Sequence, residues 1–318
     1  MKTPLLLISA AALIGLVTAC SADTVQTEVV VSEVRGATVE AEGLPAEFPL
    51  IKGPVSPDGL QLIFATPDLA VGKHRVGFAV TSSDSLVRDA VASVSSTYYP
   101  DGEAEGQARE TVVAVFRPWP YGTRGIYTTS LDFDLPGRWG IEVIVLSTQG
   151  PSRKAELLFS VAETAIAPAV GTPAIKSNSK TIHDVERISQ LTTGSLHDPD
   201  LYQTTISGAV VSGLPTVVVM ASPAFCTNVV CGPQVEVLQE LKDKYEGQAN
   251  FIHVDFYDNP EGIQGDLNKA RPSPTVEEWR LPSTEWSFVI DDGGVISARF
   301  ESFATIDELE SALLDVLG

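Results

Sequence analysis

Two cysteines separated by four residues are the side chains with the most evident chemistry in this sequence. Cys226 and Cys231 lie in the segment 224–233, Ala-Phe-Cys-Thr-Asn-Val-Val-Cys-Gly-Pro. The thiolate is the reactive form of cysteine, and the N-terminus of a helix stabilises it. The apolar run Thr216–Ala221 predicts a buried strand before the cysteines, and the pattern after Pro233 predicts a helix. This order favours a reversibly oxidised pair.

The first nineteen residues have the pattern of a targeting signal. Lys2 supplies a charged start, and the apolar run 5–17 is short for a transmembrane span. The run ends in Val-Thr-Ala-Cys at Cys20, which resembles the lipobox of bacterial lipoproteins. The resemblance implies removal of residues 1–19 and lipidation of Cys20, anchoring the chain to a cell membrane or outer membrane on its extracytoplasmic side. The alternative is an ordinary secretory signal cut near Ala19.

The charge balance excludes some classes of partner. The chain has 21 Lys and Arg against 41 Asp and Glu, a formal net charge of −20. Such an acidic chain is unsuited to nucleic acid and to electrostatic docking on anionic lipid. A lipid at Cys20, rather than a basic patch, would therefore hold the protein at the membrane.

Composition divides the mature chain into a tether and two domains. Residues 20–47 are small, polar and acidic, which predicts a tether. Residues 48–162 contain seven short alternating runs between turn residues, which predict an all-β sandwich. Within them, Leu135–Val143 resembles a late strand of immunoglobulin-like periplasmic domains. Residues 163–181 have the Ala, Pro and Ser content of an extended linker and mark the predicted domain boundary.

Residues 182–318 change to a mixed α/β pattern. Helices are predicted over His183–Leu191 and Asp200–Val211, before the central strand at Pro215–Ala221. The last helix, Ile306–Leu317, begins with a capping box. From the central strand onward the predicted order is β, α, β, a long connection, β, hairpin, β, α.

That order, with cysteines at the first strand-to-helix junction, resembles the thioredoxin-like superfamily over roughly residues 183–318. The tripeptide Cys231-Gly-Pro matches the start of the family's Cys-Gly-Pro-Cys motif. Residues 288–293, Phe-Val-Ile-Asp-Asp-Gly, resemble a run of the TlpA-like branch. The resemblance implies an α/β fold and thiol–disulfide exchange by Cys226 and Cys231 as catalytic residues, without a cofactor.

The sequence departs from the family at three positions. Gln234 stands where the second cysteine would follow Cys-Gly-Pro, and Met220 replaces a buried aspartate that assists proton transfer. Glu285 occupies the position of the family's cis-proline, with Pro282 three residues earlier. We take Pro282, Glu285 and Trp286 as candidates for substrate docking.

The favoured hypothesis is a membrane-anchored, extracytoplasmic thiol–disulfide oxidoreductase acting on thiols or disulfides of envelope proteins. Cys226 is the favoured nucleophile, although Cys231-Gly-Pro argues for the reverse. A structural disulfide in so short a ring would add only about 2 kcal/mol, against more than about 4 kcal/mol for a long loop, which favours redox work.

Two other functions stay open. The first is a non-catalytic binding module with a structural disulfide, whose partner could dock on the proline- and aromatic-rich segment Arg117–Arg124. The second is copper(I) delivery, since a spaced cysteine pair resembles Sco-type chaperones. Those proteins also use a histidine, for which His253 is the available residue, but no metal site is assigned.

Overall fold

The computed structural model of the protein describes residues 50–83, 85–120, 122–146, 151–225 and 233–318. The predicted signal segment and tether, and with them Cys20, lie outside these ranges. The catalytic candidates Cys226 and Cys231 also lie outside them. All described residues belong to one compact unit.

The described residues form eleven β-strands and five α-helices. The strands are β1 (Gln61–Phe64), β2 (Gly72–Thr81), β3 (Val91–Tyr99), β4 (Gln107–Pro118), β5 (Gly125–Phe133), β6 (Gly137–Val145), β7 (Arg153–Val161), β8 (Thr216–Ala221), β9 (Asn250–Asp255), β10 (Glu285–Ile290) and β11 (Ile296–Glu301). The helices are α1 (Ile206–Ala209), α2 (Gln234–Lys244), α3 (Pro260–Ile263), α4 (Pro274–Glu278) and α5 (Ile306–Leu317). Single 3-10 turns lie at Ile182–Asp184, Ile188–Gln190, Pro199–Tyr202, Pro223–Phe225 and Leu267–Lys269.

The first seven strands form one antiparallel sheet in the order β1-β2-β5-β4-β3-β6-β7. The sheet curls until its two ends are nearly closed. The segment before β1 helps to fill the gap: the Gly53 N–H donates to the Leu62 carbonyl at 2.9 Å. Gly53 also lies so close to β7 that an added Cβ would be 2.2 Å from the Glu156 carbonyl oxygen, and only glycine fits there.

The predicted two-sheet immunoglobulin-like sandwich is therefore not confirmed. All seven predicted strands exist, but they belong to one continuous, barrel-like sheet. Alternation in sequence specifies that one face of each strand is buried, and a sandwich and a barrel meet that requirement equally well. The buried face carries large aromatic residues, among them Phe78, Tyr127, Phe133 and Trp139.

The second sheet has four strands in the order β11-β10-β8-β9. Strands β8 and β9 are parallel, and the other two pairs are antiparallel. The predicted order from the central strand to the last helix is confirmed. The helices predicted over 183–191 and 200–211 are instead 3-10 turns and the short α1. Extended backbone interrupts both patterns: Val185 and Arg187 are extended between the first two turns, and Thr205 is extended directly before α1.

The predicted linker at 163–181 packs along the second sheet. The Gly171 N–H donates to the Ile296 carbonyl at 2.8 Å, and the Ile296 N–H donates to the Thr172 carbonyl at 2.9 Å. Further along, the Trp279 indole N–H donates to Ser177 Oγ at 3.0 Å. This segment thus covers part of the outer edge of β11 while it joins the two sheets.

The barrel and the second sheet share an apolar contact. Ile63, Ala79 and Ile126 on the outer face of the barrel are buried in one cluster with Phe303 and Leu309 of the second half. Burying such apolar side chains is favourable by about 25 cal/mol per Å². The contact explains why Ile126 is fully buried although it points away from the barrel interior.

Arg75 of β2 reinforces this contact. Its guanidinium donates to the Glu301 carbonyl at 3.1 Å and to the Phe303 carbonyl at 2.6 Å. It also forms a two-bond ion pair with the Glu308 carboxylate, with Nε at 2.9 Å from Oε1 and the second nitrogen at 3.2 Å from Oε2. Burial opposes ionisation of Glu308, but attraction to Arg75 holds its pKa below the usual range. One arginine thus ties the barrel to the start of α5.

A second buried group of charges lies beside Arg75. Arg299 donates to the Asp68 carboxylate at 2.9 Å. Glu301 has a different environment: its carboxyl group accepts from the Asp68 N–H at 2.9 Å and from Ser283 Oγ at 2.6 Å. Burial, together with the nearby Asp68 charge, raises the pKa of Glu301 to about 8. Glu301 is therefore mostly protonated at neutral pH.

Replacing Glu301 by glutamine should change how stability depends on pH. The folded-state pKa is about 8 and the ordinary value is 4.5, so the folded state binds the extra proton between these pH values. Glu301 should therefore contribute stability that is lost as pH rises from about 4.5 through 8, and Glu301→Gln should lack this contribution to the pH dependence. Urea denaturation at pH 5, 7 and 9 measures the difference.

Glu308→Gln is the matched control for this experiment. Its pKa is lowered, so its ionised form stabilises the fold at neutral pH. Glu308→Gln should therefore destabilise the protein at pH 7, where Glu301→Gln does not. Parallel stability curves for wild type and Glu301→Gln would refute the assignment of a buried proton to Glu301.

Candidate functional site

The cysteine-bearing segment is attached to the edge of the second sheet where two parallel strands end. Ala221 of β8 and Asp255 of β9 are paired in register at that edge. The chain leaves β8 through the turn Pro223–Phe225 and returns at Pro233, directly before α2. Residues 226–232 connect these points, so the groups at this edge form the described surroundings of the site.

Asp255 is a buried acceptor that joins three segments at this edge. Oδ1 accepts from Ser222 Oγ at 2.8 Å and from the Tyr257 N–H at 3.0 Å. Oδ2 accepts from the Thr193 N–H at 2.6 Å and from Thr193 Oγ1 at 2.8 Å. Burial raises the pKa of Asp255 to about 6, although these hydrogen bonds favour the ionised form. The carboxylate thus fixes Ser222, four residues before Cys226.

His253 lies two residues before Asp255 and is buried and neutral. Its Nδ1 lies 2.6 Å from Tyr202 Oη, and its Nε2 lies 3.1 Å from the Ala221 carbonyl oxygen. A carbonyl can only accept, so Nε2 carries the proton and Nδ1 accepts from the Tyr202 hydroxyl. Burial lowers the pKa of His253 to about 4. Both ring nitrogens are therefore engaged inside the protein.

Gln234, the first residue of α2, is an internal anchor. Its side-chain amide donates to the Ala304 carbonyl at 3.2 Å and accepts from the Ala304 N–H at 2.8 Å. The residue is 1% exposed. These two bonds attach the start of α2 to the connection between β11 and α5. Gln234 is thus a structural residue.

The three docking candidates differ in their accessibility. Glu285 is buried and lies opposite Ala221 in the sheet, at the same edge as Asp255. Trp286 is fully buried, and its indole N–H donates to the Ser283 carbonyl at 3.1 Å. Pro282 is partly exposed in the turn before β10. Arg299 covers the ring of Trp286. Trp286 is therefore a core residue and does not form part of a docking surface.

The proline- and aromatic-rich segment Arg117–Arg124 contacts the second half of the same chain. Trp119 packs edge-on against Phe303, with ring centroids 6.0 Å apart. The backbone N–H of Trp119 donates to the Arg124 carbonyl at 3.0 Å, which closes the connection between β4 and β5. Phe303 directly precedes Ala304, which anchors the start of α2. Through Trp119 the barrel therefore contacts the connection between β11 and α5.

Sequence reasoning missed the Asp255 network and the Tyr202–His253 pair. The available signal was an aspartate at the end of a predicted apolar strand, next to the strand that leads into the cysteines. The role of Thr193 could not be foreseen, because it comes from a turn 62 residues away in sequence. His253 was placed in the correct strand, and the structure puts its side chain on the buried side.

The described residues contain no preformed metal site. Within the ranges that the structure describes, no group of three or more His, Cys, Asp or Glu side chains is arranged to hold a metal ion. None of the helices in these ranges is long and apolar enough to cross a membrane.

Comparison with solved structures gave likenesses to several chains. No family model and no curated protein matches the chain. A solved structure from Chlorobium tepidum TLS, titled as a thiol:disulfide interchange protein of the thioredoxin family, is 15% identical. It aligns with a TM-score of 0.31 over 48% of this chain and 100% of that chain.

Replacing Asp255 by asparagine should destabilise the protein by about 1–3 kcal/mol at pH 7.5. Each carboxylate oxygen of Asp255 accepts a backbone N–H, so the amide NH₂ of asparagine must face a donor in either orientation. Urea denaturation measures the loss. Asp258→Asn is the control, because Asp258 forms ion pairs with exposed cations and should cost less than about 1 kcal/mol. Equal stabilities of the two variants would contradict the proposed network.

Proposed function

We propose that this chain is an extracytoplasmic thiol–disulfide oxidoreductase that uses Cys226 and Cys231. The observation that carries the proposal is the position of the pair in the fold. The cysteines lie in the connection from the central parallel strand β8 to α2, in a sheet with the order β11-β10-β8-β9. The electropositive end of α2 favours a thiolate in the residues that precede it.

The exchange step balances within the pair and its partner. The thiolate of one cysteine attacks a partner disulfide, and a mixed disulfide forms as one partner thiolate leaves. The second cysteine then attacks the mixed disulfide, releasing the other partner thiol and leaving a Cys226–Cys231 disulfide. The reaction also runs in reverse. Cys226 is the proposed nucleophile, because it directly follows the turn Pro223–Phe225 at the end of β8.

In this proposal the carboxyl group of Asp255 can accept the proton of the nucleophilic thiol. Met220 is fully buried and cannot accept a proton. Asp255, with a pKa of about 6, lies at the same strand edge and is hydrogen bonded to Ser222. A group with such a pKa can accept a proton near neutral pH.

The reduction potential of the cysteine pair tests the proposal. Mass-resolved alkylation of the protein in glutathione buffers should give a midpoint between about −120 and −270 mV, where exchange catalysts lie. The Cys226→Ser and Cys231→Ser variants identify the pair and should each abolish disulfide reduction in a coupled assay. A midpoint well below about −300 mV would instead assign a structural disulfide.

That second outcome would favour the alternative of a non-catalytic binding module. Two observations support the alternative: Glu285 stands at the usual docking position, and Trp286 is buried beneath Arg299. Copper delivery is less well supported, because both nitrogens of His253 are engaged in hydrogen bonds. Without that histidine, two thiolates would have to hold copper(I) alone.

Membrane anchoring through Cys20 is part of the same proposal. The wild-type protein expressed with its leader should partition into the detergent phase and carry a lipid on its N-terminal cysteine. Cys20→Ser should partition into the aqueous phase. Mass spectrometry of the N-terminal peptide gives the readout. A wild-type protein with an unmodified N-terminus near residue 20 would instead support an ordinary secretory signal.

A further inference from the structure

A cleft of about 780 Å³ lies between the barrel and the second sheet. Its size falls in the range of small-molecule sites, which occur preferentially where two substructures meet. One wall comes from residues 66–75 of the barrel and the other from β11, and the segment 163–173 forms the rim. The cleft is separate from the strand edge that carries the cysteine-bearing connection.

Three exposed apolar side chains line this cleft. Val71, Ile166 and Val170 line it and are 42%, 50% and 55% exposed. Phe300 and Ala298 of β11 provide further apolar surface in the same cleft. Apolar side chains that converge on one cleft offer a surface that gains free energy when a ligand covers it.

Two cations for which the described residues supply no ion-pair partner face the same cleft. Lys73 comes from the barrel wall and Arg280 from the opposite wall. Neither forms an ion pair with another residue in the part of the chain described here. The cleft's other two arginines are occupied, Arg75 by Glu308 and Arg299 by Asp68.

With Glu301 protonated, the lining residues Lys73, Arg280 and Glu163 leave the cleft one positive charge in excess, in a protein of net charge −20. Glu163 at the rim is the one carboxylate of the cleft left to oppose Lys73 and Arg280, since Asp68 is bonded to Arg299. Glu301 is mostly protonated at neutral pH, and burial lowers the pKa of His74, which is therefore mostly neutral. A local positive excess beside apolar surface is complementary to an amphiphilic anion.

Arg280 occupies a backbone position that usually holds glycine. It follows α4 with a φ of +53°. Its N–H donates to the Glu277 carbonyl at 3.0 Å, and the Leu281 N–H donates to the Val276 carbonyl at 3.3 Å. This is the hydrogen-bond pattern of a Schellman cap, in which glycine adopts the left-handed conformation at the lowest cost. The fold would accept glycine here, so Arg280→Gly removes the side chain and keeps the backbone conformation.

We propose that the cleft binds an alkyl carboxylate, with the alkyl chain against Val71, Ile166 and Val170 and the carboxylate between Lys73 and Arg280. An extended acidic peptide fits less well. It would add to the outer edge of β11, but Gly171 and Thr172 already pair with Ile296 there, and Arg75 takes the Glu301 carbonyl.

Dodecanoate below its critical micelle concentration is the probe, and isothermal titration calorimetry of the full mature chain is the measurement. Wild type should bind one dodecanoate saturably. Lys73→Ala and Arg280→Gly should each weaken binding at least tenfold, because each removes a charge-assisted contact. Dodecyltrimethylammonium, which has the same alkyl chain and the opposite charge, should not bind.

The Arg280→Gly variant separates binding from folding. Relief of the left-handed arginine should keep or raise the melting temperature while binding falls. Gln264→Gly is the matched control: Gln264 also has a positive φ, of 49°, but does not line the cleft. It should keep or raise the melting temperature and leave dodecanoate affinity unchanged.

Three results would overturn the proposal. The first is the absence of saturable dodecanoate binding. The second is equal binding by wild type, Lys73→Ala and Arg280→Gly, which would indicate nonspecific adsorption. The third is binding of an acidic apolar peptide, weakened by Arg280→Gly, in place of dodecanoate; the cleft would then be a peptide site.

Discussion

The position of the barrel depends on Arg75. The guanidinium is mostly buried and reaches the carbonyls of Glu301 and Phe303 as well as the Glu308 carboxylate. It thereby holds the connection from β11 to α5 against the barrel. Within this connection, Ala304 anchors the start of α2. Arg75 itself also forms part of the wall of the cleft. The proposed redox site and the proposed ligand site therefore share one support.

Two buried carboxyl groups show how hydrogen bonds offset part of the cost of lost hydration. Asp255 accepts four hydrogen bonds, and burial raises its pKa to about 6. Glu301 accepts two hydrogen bonds and lies near the Asp68 charge, and burial raises its pKa to about 8. The group with more donors thus has the smaller rise in pKa, as expected when desolvation dominates.

The sequence predicts strands better than it predicts their arrangement or the site. Periodicity located all seven barrel strands and the order from β8 to α5, since alternation and amphipathic spacing are local properties. It could not distinguish a barrel from a sandwich, which differ in how strands 1 and 7 meet. The segments before β8 have the apolar spacing of helices, but extended residues such as Thr205 divide them into 3-10 turns and the short α1. The Asp255 network joins residues from separate segments, and only tertiary contacts bring Thr193 to it.

The contacts of Gln234 bear on which thiols can form the pair. A cysteine at this first residue of α2 would remove both bonds to Ala304 and leave a buried N–H and a buried carbonyl without their partners, at a cost of about 1–3 kcal/mol each. The position is therefore committed to anchoring α2. The proposed pair, Cys226 and Cys231, precedes α2 in the sequence and does not use the position that anchors it.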